Sequence, residues 1–294
     1  MIEKLAKAAR DNNLNVYFIT EIKDGNSTTE KIVPANDCND IYSISKAITS
    51  TALGVLYDEG KISLEDNIYG FFADDYPNIS EVWKNVTLHN VLTHTTGIKE
   101  PFLDVDAPVN IIDAEGCDDY LNIALEHVPE NTPGEQWNYS DSNYYIISRV
   151  IEKVSGRELE DFLFERFFRP MKFQSAGFAK CPHGHSMGAT GLFLSTWDLA
   201  KFGQMCLDGG IWEGKRLVSK EWLDISTSCQ RELPNDGFYG FGFSGSKDKT
   251  FTISGGMYGQ TLFFSRKHRY VIAWTCHDEN GSTGILTKIL EENE

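Results

Sequence analysis

Ser43 and Lys46 lie three residues apart at the head of a mostly apolar segment, and their spacing could support catalysis. The segment, residues 41–60, reads IYSISKAITSTALGVLYDEG and is typical of a buried helix. Residues three apart on a helix share one face, with Cβ atoms about 5–6 Å apart, so the lysine can reach the serine hydroxyl. Because a neighbouring base can activate a serine, the pair predicts a Ser43 nucleophile with Lys46 as its base.

Two further Ser-x-x-Lys pairs, Ser244/Lys247 and Ser246/Lys249, weaken the motif as a signal. Both lie in a Gly- and Lys-rich turn, where solvent would keep the lysine protonated. Only the Ser43 pair opens an apolar helix, whose N-terminal end favours an anion beside the serine. An alternative remains open, in which Ser43 only caps this helix.

Ser186 is a second candidate nucleophile, because residues 184–188 read Gly-His-Ser-Met-Gly, the nucleophile-elbow pattern of α/β-hydrolases. That pattern requires a buried strand before the serine and a helix after it. Here Pro182 and no apolar run precede it, and Ala-Thr-Gly, a poor helix start, follows it. The context therefore disfavours Ser186.

The chain contains six cysteines without Cys-x-x-Cys spacing, which indicates free thiols in a reducing compartment. Cys181, His183 and His185 form a Cys-x-His-x-His cluster that could ligate zinc. Their loop-like stretch, with a proline and two glycines, favours surface residues grouped by chance. We therefore expect neither a metal nor another cofactor.

Composition narrows the class of partner. The 294 residues carry a formal charge of −16, which argues against a nucleic acid or an anionic membrane, since both require clustered Lys and Arg. There is no run of 18 apolar residues, and the amphipathic N-terminus lacks the apolar core of a secretion signal. We expect a folded cytoplasmic protein that acts on a small molecule, whereas its oligomeric state stays open.

Periodicity predicts a sheet and a helical region. Helices are predicted at 2–10, from Ser43, within 88–98 before a Thr-Thr-Gly turn, at 118–128, 144–154 and 159–168, from a cap at Ser195 or Thr196 to a stop at Gly209 and Gly210, and at 285–292. Strands are predicted at 16–20, 31–34, 238–243, 251–253, 261–265 and 270–275. Strands at both ends with helices between them predict one sheet built from both termini around a helical insertion.

Five stretches of the chain occur in an informative order: SISK at 43–46, VLTHTTGI at 91–98, PGEQWNYSDSNYYIIS at 133–148, TGLFLSTWDLAKF at 190–202 and GGMYGQ at 255–260. In that order they resemble landmarks of the serine β-lactamase and penicillin-binding-protein superfamily. The likeness is greatest to its class C branch, which includes D-amino-acid peptidases and family VIII carboxylesterases, and it covers nearly the whole chain.

The resemblance implies a fold and an arrangement of the site. The fold is α/β (α+β), with an antiparallel sheet flanked by helices in residues 1–42 and 191–294. A mostly helical subdomain, residues 43–190, is inserted, and the active site lies in the cleft between the two parts.

The resemblance also implies roles for individual residues. Ser43 is the nucleophile, Lys46 its base, and Tyr139 passes the proton to the leaving group. Backbone N–H groups of Ser43 and Met257 form the oxyanion hole, which polarises an acyl carbonyl. His94 is implied to be structural. Tyr139, in Tyr-Ser-Asp, stands in the position of the tyrosine of the family's Tyr-x-Asn motif. Two Tyr-x-Asn matches elsewhere in the chain are disfavoured: Tyr76 precedes a proline in a surface turn, and Tyr120 lies inside a helix.

Two substrate-binding positions depart from the family pattern. The third motif, Ser254-Gly255-Gly256, lacks the usual Lys or His, and Asp141 stands where Asn is usual. Together they remove one positive charge and add a negative one near the substrate. We therefore expect a neutral or cationic ester or amide as substrate. The alternatives are a D-amino-acid peptidase or β-lactamase, and a non-catalytic binding protein of the same fold.

Overall fold

The main sheet joins the first strands of the chain to the last. The structure, a computed structural model, describes residues 1–99, 116–233 and 237–294. The sheet's six antiparallel strands are β1 Val16–Lys23, β2 Asn26–Lys31, β10 Ser244–Gly245, β11 Phe251–Gly255, β12 Thr261–Ser265 and β13 Tyr270–Cys276. They lie side by side in the order β10-β11-β12-β13-β1-β2. The predicted sheet from both termini is confirmed.

Smaller sheets lie beside it. Their strands are β3 Cys38–Asp40, β4 Ala176–Phe178, β5 Leu192–Ser195, β6 Ile211–Trp212, β7 Lys215–Arg216, β8 Arg231–Glu232 and β9 Phe238–Tyr239. Three of them form a sheet in the order β3-β5-β4, and the others form two pairs, β6 with β7 and β8 with β9. The sheet of β3, β4 and β5 is important for the site, because β3 ends three residues before Ser43.

The helices surround the main sheet and fill the middle of the chain. They are α1 Ile2–Asp11, α2 Ile44–Asp58, α3 Ile68–Phe72, α4 Leu88–Leu92, α5 Tyr120–Glu126, α6 Asp141–Ser155, α7 Leu159–Leu163, α8 Thr196–Leu207, α9 Lys220–Ser226 and α10 Gly284–Glu291. A π-helical turn at Phe164–Phe168 continues α7, and 3-10 turns lie at Glu81–Asn85 and Met257–Gly259. In the described ranges no helix has the length and apolar character needed to span a membrane.

Alternation along the strands gives the sheet two apolar faces. Phe263 and Ile272 belong to the core that α1 and α10 cover, while Leu262 and Val271 face the larger core shared with α2 and α8. Because successive side chains of a strand point to opposite faces, one strand supplies both cores. The sheet is therefore a middle layer between two sets of helices.

Helix α2 is the most deeply buried element around the candidate site. Every residue from Ile44 to Leu56 is buried, and the helix packs against α6 and α9. Two glycines allow its close packing: a Cβ on Gly54 would lie 2.3 Å from the Trp222 ring, and one on Gly242 would lie 2.5 Å from the Ala47 nitrogen. The start of α2 is thus fixed by backbone contact as well as by side chains.

Two predicted strands are wrong. The strand predicted at 31–34 is β2, Asn26–Lys31, because Asp24 and Gly25 alone form the turn, both with positive φ (50° and 75°). β2 is an exposed polar edge strand, so it has no hydrophobic alternation to predict it. The strand predicted at 238–243 is only Phe238–Tyr239, since Gly242 has a φ of +81°.

Candidate active site

Ser43 lies just before α2, in a turn with unusual backbone geometry. Tyr42 has a φ of 48°, a left-handed conformation that costs a non-glycine residue about 1 kcal/mol or more. The Ser43 side chain makes no capping hydrogen bond to α2. Instead its Oγ accepts hydrogen bonds from Lys46 Nζ at 3.0 Å and from Tyr139 OH at 2.8 Å. The alternative that Ser43 only caps the helix is therefore wrong.

Lys46 is a buried ammonium with three acceptors. Only 1% of the residue is exposed, and Nζ donates to Ser43 Oγ, to Asp141 Oδ1 at 2.6 Å and to the Ala189 carbonyl at 3.0 Å. Nζ also lies 4.6 Å from the centre of the Tyr139 ring. An unpaired buried charge would cost several kcal/mol, so Asp141, itself 9% exposed, compensates the lysine.

The Tyr139 ring packs against the ring of His94. The two rings lie 4.4 Å apart, and Tyr239 packs against both. His94 Nδ1 accepts hydrogen bonds from the Asn143 amide at 3.0 Å and from the Ser140 N–H at 3.3 Å. The imidazole proton is thereby assigned to Nε2, which lies 3.1 Å from the Tyr239 hydroxyl.

The same surroundings keep His94 neutral. Complete burial, together with the positive charge of Lys46, holds the pKa of His94 well below its ordinary value. Burial also holds the pKa of Tyr239 well above its ordinary value. His94 and Tyr239 therefore support Tyr139 as an uncharged hydrogen-bonded pair.

The Met257 backbone lies beside Ser43, because the residues that flank each of them are in contact. A Cβ on Gly256 would lie 2.3 Å from the Ile41 carbonyl oxygen, and the rings of Tyr42 and Tyr258 meet edge to face at 5.4 Å. Within the described ranges, the N–H groups of Ser43 and Met257 have no protein acceptor. Neither donor is therefore used within the described part of the chain.

The third motif is fixed by a backbone contact at Ser254. The Ser254 side chain is buried and donates to the Gly242 carbonyl at 2.8 Å, while Gly255 is exposed. Asp141, the other departure from the family pattern, lies 2.6 Å from Lys46 Nζ. Of the two departures, Asp141 is therefore the one that contacts Lys46.

The rival catalytic residues lie elsewhere. Ser186 is in a loop, bridged to Lys180, with neither the strand nor the helix that an elbow requires. The Tyr76 hydroxyl donates to Asp119, and Tyr120 lies inside α5.

The two later Ser-x-x-Lys pairs are also separate from the site. Lys247 forms an ion pair with Glu232, and the Ser246 hydroxyl bonds to that of Thr250. Lys249 belongs to the same turn, where it has a φ of 61°. These contacts leave Ser43 as the serine that the structure places beside a lysine and a tyrosine.

The Cys-x-His-x-His cluster does not converge on one point. Cys181 Sγ accepts a hydrogen bond from the Tyr145 hydroxyl at 3.3 Å. His183 bonds to Asp118 and His185 to Glu152, at 3.0 and 2.9 Å. Across residues 1–99, 116–233 and 237–294, no group of three or more His, Cys, Asp or Glu side chains suits a metal ion.

Two parts of the site, the Ala189 carbonyl and Tyr239, have no recognisable signal in the sequence. The Ala189 acceptor is a backbone carbonyl, so no side-chain type marks it. Tyr239 is a buried aromatic residue on a short strand, and its pattern fits a core position equally well. Only the folded chain shows that Tyr239 reaches His94.

The family model named Beta-lactamase matches residues 18–289. The chain belongs to the beta-lactamase family. The mixed α/β architecture with an antiparallel sheet is that of a beta-lactamase-like fold.

Two relatives and one solved structure illustrate the beta-lactamase family. PbpX of Bacillus subtilis (strain 168), assigned by name to the penicillin-binding proteins, is 27% identical over 231 residues, 68% of this chain and 55% of that protein. This chain thus spans little more than half of that relative. The 6-aminohexanoate-dimer hydrolase of Paenarthrobacter ureafaciens is 22% identical over 278 residues, 85% of this chain and 70% of that protein.

The solved structure comes from Bacillus anthracis and is assigned by name to the 6-aminohexanoate-dimer hydrolases. It superposes with a TM-score of 0.83 at 17% identity, covering 97% of this chain and 80% of that one. A likeness at this identity shows that the fold is shared.

Acid is expected to destabilise the protein through His94. Because burial lowers the pKa of His94, the unfolded chain binds a proton there below about pH 6.5 while the native protein does not. The free energy of unfolding should therefore decrease as the pH is lowered through this range, by up to about 1.4 kcal/mol per pH unit. Urea unfolding of wild type and His94→Gln over a pH series measures this, and the variant should lose less stability on acidification.

The matched control is His268→Gln, since His268 is exposed. This substitution should leave the pH dependence of the unfolding free energy unchanged. Parallel curves for wild type and His94→Gln would show that His94 does not couple folding to pH.

Proposed function

We propose that the protein is a serine hydrolase that forms an acyl-enzyme on Ser43. The observation that carries the proposal is the convergence of Lys46 Nζ and Tyr139 OH on Ser43 Oγ, at 3.0 and 2.8 Å. Two potential proton carriers on one serine hydroxyl are what nucleophilic catalysis requires. The site would lie in the cleft between the sheet part, residues 1–42 and 191–294, and the helical part, residues 43–190.

The geometry supports a sequence of proton transfers. Lys46, in its neutral form, takes the proton of Ser43 as Oγ bonds to the acyl carbon. The carbonyl oxygen gains negative charge, which the N–H groups of Ser43 and Met257 would stabilise. Tyr139 then passes a proton to the leaving oxygen or nitrogen as its bond to the acyl carbon breaks. Water then attacks the acyl carbon while Tyr139 takes a proton from it, and Lys46 returns its proton to Oγ as the bond between Oγ and the acyl carbon breaks, which releases the acid and regenerates Ser43.

The charges of the site favour a neutral or cationic ester or amide. Lys46, the cation that contacts Ser43, is neutralised by Asp141, and Ser254 replaces the cation of the third motif. A substrate carboxylate would thus meet no uncompensated positive charge at these positions. The relative named for hydrolysis of the 6-aminohexanoate dimer supports hydrolytic chemistry on a small substrate.

Covalent labelling tests the nucleophile. A fluorophosphonate probe should label wild type, and Ser43→Ala should lose the label together with at least about a thousandfold of the esterase kcat. Ser186→Ala, which removes the rival nucleophile, should label like wild type. Absence of labelling in well-folded wild type would favour the non-catalytic binding protein, and labelling that depends on Ser186 would overturn the assignment of Ser43.

Substrate charge gives a second prediction. A neutral nitrophenyl ester should be hydrolysed with a higher kcat/KM than a chromogenic cephalosporin, because the β-lactam brings a carboxylate to a site where Asp141 compensates Lys46 and Ser254 replaces the third-motif cation. Spectrophotometric assays of both, with Ser43→Ala as the background, measure the ratio. Faster turnover of the cephalosporin would instead support a β-lactamase or a D-amino-acid peptidase.

Asp141→Asn is expected to destabilise the protein by about 3–5 kcal/mol, because it leaves the buried Lys46 without the carboxylate that lies 2.6 Å from its Nζ. Asp224→Asn, which removes the carboxylate of an exposed Lys220–Asp224 pair, is the control and should change the free energy of unfolding by less than about 1 kcal/mol. Urea unfolding of wild type and both variants measures the difference. Equal stability of Asp141→Asn and wild type would exclude compensation of Lys46 by Asp141.

A further inference from the structure

Asp40 is a carboxylate directed at the backbone that precedes the nucleophile. It is the last residue of β3, three positions before Ser43. Its Oδ1 accepts the Tyr42 N–H at 2.7 Å. A side chain that accepts a hydrogen bond from the backbone two residues later closes an Asx turn. The turn is thus closed at Tyr42, the residue with the left-handed φ of 48°.

The same residue lies against the segment that holds Lys46. Asp40 pairs with Phe193 across β3 and β5, and the next N–H, that of Ile41, donates to the Leu192 carbonyl at 2.9 Å. The Leu192 N–H in turn donates to Ser45 Oγ at 3.3 Å. Three residues before Leu192, the Ala189 carbonyl accepts the Lys46 hydrogen bond. Asp40 is therefore next to both chain segments that determine where Ser43 and Lys46 lie.

The carboxylate of Asp40 interacts with backbone rather than with a cation. Burial raises its pKa to about 6, while the N–H groups of Tyr42 and Gly191 act in the opposite direction. In the described part of the chain, no Lys, Arg or His contributes to this balance. A half-buried carboxylate without a cation is costly, and hydrogen bonds to the backbone are its compensation.

We propose that Asp40 is a positioning residue of the Ser43 site, because its carboxylate fixes the turn at Tyr42 and so sets Ser43 Oγ against Lys46 and Tyr139. This inference rests on the proposed function and adds a residue to it. Loss of the acceptor would let Tyr42 leave its left-handed conformation and displace the Ser43 hydroxyl. Since Asp40 itself does not contact the reacting atoms, its loss should lower kcat and leave KM nearly unchanged.

Three substitutions separate the shape of Asp40 from its charge. Asp40→Asn keeps an acceptor oxygen at the same distance from the main chain and loses the charge. Asp40→Glu keeps the charge but moves the carboxylate by one methylene, and Asp40→Ala removes the acceptor. Asp37→Ala is the matched control, because Asp37 is exposed and lies three residues earlier.

The measurement is kcat and KM for the neutral nitrophenyl ester, with the rate of fluorophosphonate labelling and the melting temperature for each variant. Asp40→Ala and Asp40→Glu should lower kcat and the labelling rate about tenfold to a hundredfold, as small displacements of catalytic groups do. For Asp40→Asn, kcat and the labelling rate should stay within about threefold of the wild-type values. Asp37→Ala should equal wild type, and KM should be similar throughout.

The outcomes separate this inference from the proposed function. Active wild type with a fully active Asp40→Ala, or with Asp40→Asn as impaired as Asp40→Ala, would overturn the role of Asp40 alone. Wild type without turnover or labelling would overturn both proposals. If Asp40→Ala does not fold, Asp40→Asn and Asp40→Glu still decide: equal activity of the two contradicts the proposal.

Discussion

The ion pair between Lys46 and Asp141 is the interaction on which the site depends. A lysine that is 1% exposed on an apolar helix is stable only if every direction of its ammonium finds an acceptor. Its acceptors come from three separate parts of the chain, residues 43, 141 and 189. Satisfying one buried charge thus draws together the start of α2, the start of α6 and the loop before β5.

The aromatic support of Tyr139 follows from that charge. A second cation beside Lys46 would be repelled, and His94 is neutral with its proton assigned to Nε2. Neutral His94 can therefore pack against the Tyr139 ring at 4.4 Å while Lys46 Nζ lies 4.6 Å from the centre of the same ring. The result is a tyrosine held between one charged and one uncharged group, with its hydroxyl on Ser43.

Local patterns predict the start of α2 and the apolar strands β1, β11, β12 and β13. Ser43 and Lys46 are found because a three-residue spacing on a helix fixes their contact, whatever the rest of the fold. Tyr139 is 96 residues from Ser43, so only the family resemblance brings it to the site before the structure does. Patterns do not predict the Ala189 carbonyl, since backbone acceptors carry no side-chain signature. The start of β2 is missed for a related reason: an exposed edge strand has no buried face to impose alternation.

Two glycines described above also bear on how this site can change over evolutionary time. Gly242 lies against the Lys46–Ala47 backbone and Gly256 against the Ile41 carbonyl, each too close for even a methyl group. Both positions are closed to substitution for as long as the turn at Ser43 keeps its place, because any side chain would push that turn away from its partners. A lineage that retains this turn must therefore retain both glycines.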